Sequence, residues 1–137
     1  MKKILALDLG DQWVGVAISD PSQVFSRPYD TTTRKNLESF LTDLFKKELI
    51  ETVVVGYPKT MRGTESEQTK KIVQEKEALE QKFPESSWVL WDERLSSKFA
   101  AAHGKTASKE DKLKSHARAA AFILDSYLSF LQLQKNI

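Results

Sequence analysis

Lys2-Lys3-Ile4-Leu5-Ala6-Leu7-Asp8, continuing through Leu9 and Gly10-Asp11-Gln12 into Val14-Gly15-Val16-Ala17-Ile18-Ser19-Asp20, is the stretch whose reading decides the fold. Its first part is a nearly unbroken apolar run that ends in a carboxylate, the pattern of a strand covered on both faces. Gly10-Asp11-Gln12 supplies turn chemistry. Val14, Val16 and Ile18 then recur with a period of two, so the two runs read as a hairpin. A third extended piece is expected from about Val24 to Thr32, because Pro21 and Pro28 discourage helix and the stretch is rich in aromatic and β-branched residues.

Downstream the period changes. From Arg34 to Ile50, the residues Leu37, Phe40, Leu41, Leu44, Phe45 and Leu49 recur at helical spacing and predict an amphipathic helix. Thr52 to Gly56 is a short β-branched run, read as a buried parallel strand because a helix precedes it. A loop from Tyr57 to Thr64 leads to a second helix, Ser66 to Phe83, with Ile72, Val73, Leu79 and Phe83 inward and Pro84 as its stop. Another strand is expected from about Ser87 to Asp92. A short helix around Leu95 to His103 and a polar, Lys-rich, mobile segment from Gly104 to Lys114 follow. Last, Leu113, Ala117, Ala120, Ala121, Leu124, Leu128 and Leu131 hold helical spacing over about five turns. The predicted architecture is α/β: a mixed five-stranded sheet, three antiparallel strands then parallel ones, flanked by helices.

Composition bounds the function. With 137 residues, 40% of them apolar, the chain reads as one compact domain over 1–137 with enough material for a core. The absence of cysteine excludes a disulfide scaffold, thiolate zinc sites, iron–sulfur clusters and cysteine nucleophiles, so any metal must be held by oxygen or imidazole. The net charge of +2, from 21 basic against 19 acidic residues, permits nucleic-acid binding without requiring it. Asp8 interrupts the N-terminal apolar run too early for an export signal, and no window approaches the roughly 18 to 20 apolar residues of a membrane span. The expectation is a soluble, cytoplasmic protein with no membrane partner.

Two carboxylates stand where chemistry is expected. Asp8 closes the most apolar strand, where an unpaired carboxylate is costly unless it meets a cation, a metal or backbone donors. Glu93, in Trp91-Asp92-Glu93-Arg94, occupies the equivalent place at the end of the last strand, read as a neighbour of the first. Open α/β sheets bind ligands off strand ends, and two carboxylates converging there suit a hard divalent cation. The alternative is that Asp8 caps a turn and Glu93 pairs with Arg94 or a lysine.

Five blocks in order, Leu5-Ala6-Leu7-Asp8-Leu9-Gly10, Val14 to Pro21, Val54-Val55-Gly56-Tyr57-Pro58 with Gly63-Thr64-Glu65, Asp92-Glu93-Arg94-Leu95-Ser96, and Ala119 to Leu128, span nearly the whole chain. Together they resemble the YqgF/RuvX family. The resemblance implies a ribonuclease H-like fold related to Holliday-junction resolvases. It also implies a nuclease maturing the 5′ end of pre-16S ribosomal RNA, with branched DNA as the other substrate class. Asp8 and Glu93 match the family's acidic positions. The chain departs from the pattern at a third, where the family's usual aspartate before the Ala-Ala of the last helix is His116. Neutral imidazole can ligate a metal or act as a base, and His116 lies on the flank of the helix's apolar stripe. Asp111 is a less well placed substitute, more than one helical turn upstream, and a helix-terminal histidine with no metal role is the alternative.

The implied mechanism is phosphodiester hydrolysis assisted by magnesium or manganese, with Asp8, Glu93 and His116 as the metal-binding and catalytic set. Arg94, Lys98, Lys105, Lys109, Lys112, Lys114 and Arg118 are candidate nucleic-acid contacts, or a solvated surface. Trp13 and Tyr57 can stack on bases or pack the rim, and the Gly56 to Gly63 loop can approach a phosphate or simply turn. His103 reads as a helix-end residue. A ribosomal precursor particle is an expected partner, and monomer and homodimer both remain open. Two competing functions are a catalytically silent nucleic-acid-binding module and a nucleotide-binding regulator of the actin-like kind. The latter needs two such domains, and this chain supplies one.

Overall fold

The computed structural model describes residues 2–57, 67–92 and 109–135. Its strands are β1 (Lys3–Leu9), β2 (Trp13–Ser19), β3 (Ser26–Thr33), β4 (Ile50–Tyr57) and β5 (Ser87–Asp92). Its described helices are α1 (Leu37–Lys47), α2 (Glu67–Lys82) and α3 (Lys109–Lys135). They form one five-stranded sheet in the order β3-β2-β1-β4-β5. The β3-β2-β1 part is antiparallel and the β1-β4-β5 part parallel, as the sequence predicts.

β1 is central because it can be covered on both sides: Ile4, Leu5, Ala6 and Leu7 are all buried. Its alternate residues enter two different cores. Leu5, Leu7 and Leu9 join Val14, Val16, Ile18, Val53 and Val55 under α1 and α2, where Leu41, Leu44, Ile72 and Leu79 close the layer. Ile4 and Ala6 join Ala17, Val54, Ala120, Ile123, Leu124 and Leu128 under α3.

β3 is an edge strand, which is why Pro28 is tolerated there. The register passes from Val16↔Asp30 to Ala17↔Pro28, leaving Tyr29 as an extra residue in a bulge. Its ring meets Phe40 of α1 edge-on, with centroids 6.1 Å apart.

Several boundaries differ from the sequence reading: β3 begins at Ser26 rather than Val24, and β4 takes in Ile50, Glu51 and Tyr57, the last expected as the start of a loop. α1 stops at Lys47, with Glu48 already extended, so Leu49 lies past the helix and is 63% exposed rather than part of its apolar stripe. Helical spacing continues through a residue that the entry into β4 turns outward. Residues 109–114, expected as part of a mobile segment, are the first turns of α3. Lysine and glutamate are good helix formers, and polarity there is not a break in the helix. The expected helix from Leu95 to His103 lies outside the described residues. No described helix is long and apolar enough to cross a membrane.

Candidate active site

The C-terminal ends of the three parallel strands lie at one edge of the sheet. Leu7 is in register with Val55, and Val55 with Leu90, so Asp8, Gly56 and Trp91 stand one step further along in successive strands. Alternation puts Asp8 on the α3 face, the face of Ile4 and Ala6. Asp8 is half-buried there.

α3 reaches this place through a glycine. Asp8 is paired with Gly15 of β2, on the same face. A Cβ on Gly15 would overlap the carbonyl oxygen of His116, and would stand 3.0 Å from the Ala117 nitrogen. The α3 backbone therefore rests on the β2 backbone with no side chain between them. Directly opposed residues in an antiparallel pair are about 5 Å apart at Cα, so the backbone of position 116 sits over the residue paired with Asp8, one strand along the sheet from it. His116 is half-buried and sits eight residues into the helix, counting Lys109 as the first, which excludes the reading of it as a helix-terminal residue.

β4 separates β1 from β5, so the strand leading to Glu93 is not a neighbour of β1, as the sequence reading had it. At about 4.8 Å per strand the two lie roughly 10 Å apart in the sheet. Gly56 stands between them on the α3 face and contributes no side chain to that interval. The end of β5 is fixed to α3 by Trp91, whose Nε1 donates to Ser126 Oγ at 3.0 Å and whose ring meets Tyr127 edge-on at 5.3 Å. Burial, and secondarily the Glu51 carboxylate, push the Tyr127 hydroxyl above its ordinary pKa.

A clamp holds the turn that follows Asp8. The Arg34 guanidinium donates to the Gly10 carbonyl and ion-pairs with Glu75 of α2, and its backbone N–H donates to Gln12 O at 3.1 Å. Gly10 closes the same turn by donating to Trp13 O at 2.9 Å. Neither Arg34 nor Gly15 was singled out from the sequence. The signal for Gly15 was present, since a glycine inside a β-branched strand marks a close backbone approach. Arg34 had none, because its partners lie on two other elements.

The fold thus seats the backbone of position 116 on Gly15, the cross-strand partner of Asp8. Glu93, Arg94, Lys98, Lys105 and His103 lie outside the described residues, and of Lys109, Asp111, Lys112 and Lys114 only the helical backbone is described. Arg118 is exposed on α3, two residues beyond His116. Among the described residues no three histidine, aspartate or glutamate side chains group as a metal site. A carboxylate and an imidazole, in a chain without thiols, are donors suited to a divalent first-row or magnesium ion once a further oxygen ligand joins them.

Comparison with known proteins gives the chain's family and supports its fold. The RuvX family, described as Holliday junction resolvase, matches residues 2–130. A relative from Rubrobacter xylanophilus, named "Putative pre-16S rRNA nuclease", is 35% identical over 129 residues, covering 92% of this chain and 91% of its own. One of the same name from Chlorobaculum tepidum is 36% identical over 132 residues, covering 93% of each. Among solved structures, T. thermophilus RuvC in complex with a Holliday junction substrate superposes with a TM-score of 0.64 at 12% identity, covering 98% of this chain and 97% of that one. That likeness establishes the ribonuclease H-like fold. With the family matched over almost its entire length and the fold agreeing, the chain belongs to the RuvX family.

Proposed function

We propose that this protein is a nuclease that hydrolyses phosphodiester bonds in the 5′-end maturation of pre-16S ribosomal RNA, acting in the cytoplasm on a ribosomal precursor particle. The observation that carries the reading is the seating of α3, at the backbone of position 116, on Gly15, the residue paired with the strand-end Asp8. The relatives' shared name supports the RNA substrate. The family's description as a resolvase supports branched DNA as the second substrate to be assayed.

Asp8, Glu93 and His116 are the residues assigned to hold a divalent ion, magnesium or manganese. Such an ion supplies Lewis-acid stabilisation of the charge that develops on phosphate and lowers the pKa of an attacking water. The chain's own contribution is placement. Asp8 presents a carboxylate from a strand whose neighbours on both sides are packed, so its position is set by the sheet rather than by a loop. His116 presents imidazole from a helix held against that sheet backbone to backbone. Replacing the family's usual aspartate by imidazole removes one negative charge from the ligand set, which shifts preference from magnesium toward manganese.

The test is cleavage of a 5′-extended 16S precursor RNA by purified protein with manganese. The expected result is that Asp8→Asn abolishes cleavage while the thermal unfolding transition is retained. Full cleavage by Asp8→Asn sinks the assignment. Salt-sensitive binding by wild-type protein with no metal-stimulated cleavage of either RNA or junction DNA identifies a silent binding module instead.

A further inference from the structure

Beside the candidate active site, on the same face of the sheet, a trough of about 470 Å³ runs between β3 and the N-terminal half of α3. Trp13, Pro28 and Thr31 form one wall, Ala117 and Arg118 the other. Pro28 and Arg118 also line a second hollow, of about 380 Å³, that extends the track toward Ser26 and Asp125. The track begins at the catalytic end. Trp13 is two residues from Gly15 along β2, on the same face, and Arg118 is two residues from His116 along α3, a rise of about 3 Å.

We propose that this trough is a single-stranded nucleic-acid subsite, in which one unpaired base stacks on Trp13 and the neighbouring phosphate is taken by Arg118. The inference rests on the nuclease reading above and adds to it where the strand lies and in what form it enters. The indole is half-buried at the trough wall, and a base of any identity can stack on an indole because every base has a π-face. The Pro28 ring on the same wall is apolar and carries no donor to compete with the stack. Arg118 offers a planar fork suited to a phosphate. A base within a duplex is covered by its stacked neighbours and cannot enter such a trough.

The acidic residues on the track limit how many phosphates it takes. Asp30 Oδ1 accepts from the Thr31 N–H at 2.8 Å, and Asp125 Oδ1 accepts from the Ser26 hydroxyl at 2.5 Å. Both carboxylates are therefore held at the wall, where they repel further backbone phosphates. Stacking supplies most of the affinity, and Arg118 is the charged contact among the described residues.

Fluorescence anisotropy of a short fluorescein-labelled oligouridine with the full chain, over a salt series, tests this. Trp13→Ala should weaken binding about tenfold or more, Trp13→Phe should retain most of it, and Arg118→Gln should lower the log–log salt slope by about 0.7. A blunt hairpin duplex should show no sensitivity to Trp13. Binding by folded Trp13→Ala within about twofold of wild type, or an equal loss on the duplex, overturns the subsite. Should Trp13→Ala not fold, an unchanged salt slope in Arg118→Gln overturns it. The two readings fail separately: cleavage by Asp8→Asn bears only on the nuclease assignment, and oligouridine binding by wild type and the Trp13 and Arg118 variants bears only on the subsite.

Discussion

The two faces of the sheet are built differently. Under α1 and α2 the core is bulky, with Leu5, Leu7, Val53, Val55, Leu41 and Trp88 filling a layer whose thickness is set by side chains. Under α3 the sheet offers Ala6, Gly15 and Ala17 to Ala117, Ala120 and Ala121, and at Gly15 the helix backbone touches the strand backbone directly. Side-chain layers relax when trimmed, whereas a backbone seat cannot move without carrying the helix with it. The face that holds α3 closest is the one on which Asp8 stands, so close approach there serves placement of position 116 as well as burial.

The sharpest way to break this contrast is Gly15→Val. It forces α3 off β2, and the expected loss is at least about 4 kcal/mol, in the range where a chain of this size stops folding. Urea unfolding midpoints check it, and a loss below about 1 kcal/mol would mean that the seat is soft. On the opposite face Leu41→Ala should cost about 3 kcal/mol through the cavity it leaves. The folded fraction should still cleave at the wild-type rate. Loss of activity in that variant beyond its loss of folded protein would contradict the division of labour.

Ser19→Ala is expected to cost less, about 2 kcal/mol. The buried Ser19 hydroxyl accepts from Ile4 N–H at 2.8 Å and donates to Asp20 O at 3.0 Å, so the variant leaves a strand donor unpaired under the foot of α3. The same unfolding series reads it, and a neutral effect would show that water replaces the hydroxyl.

The smallest effect lies at the end of the sheet farthest from Asp8, in the turn from Asp20 to Phe25. The Asp20 carboxylate accepts from the Ser22 hydroxyl and from the Phe25 and Val24 N–H groups, both at 2.9 Å. These bonds, Ser22 first, lower its pKa from 3.8 to about 2. Because the folded value is the lower one, the turn's contribution is complete above pH 3.8 and is lost as pH falls through about 2. The amide resonances of Val24 and Phe25 should titrate with a midpoint near 2, and a midpoint at the ordinary carboxylate value would remove the turn bonds from the account.

How much of this is legible in the chain differs by element. β1, β2 and β5 were readable because an apolar run or a period of two survives in one strand by itself. The end of α1 was not, because Leu49 keeps helical spacing after the backbone has turned extended. Asp8 announced itself as a charge ending an apolar strand, and His116 by its place relative to Ala119-Ala120. The interposition of β4 between β1 and the strand preceding Glu93 could not be read, since the order of strands in a sheet is a property of packing rather than of any local pattern. The Arg34 clamp was hidden for the same reason: its two partners are 24 and 41 residues away, counted from Arg34 to Gly10 and to Glu75.

On the proposed function, Asp8 and His116 share one cation. A manganese soak of crystals, read by anomalous scattering, tests it most directly. The expected peak lies within coordination distance of the Asp8 carboxylate, about 2.1 to 2.3 Å, with the His116 imidazole in the same shell. A peak bonded to Asp8 with His116 turned away from it, or manganese bound only elsewhere on the chain, would contradict it.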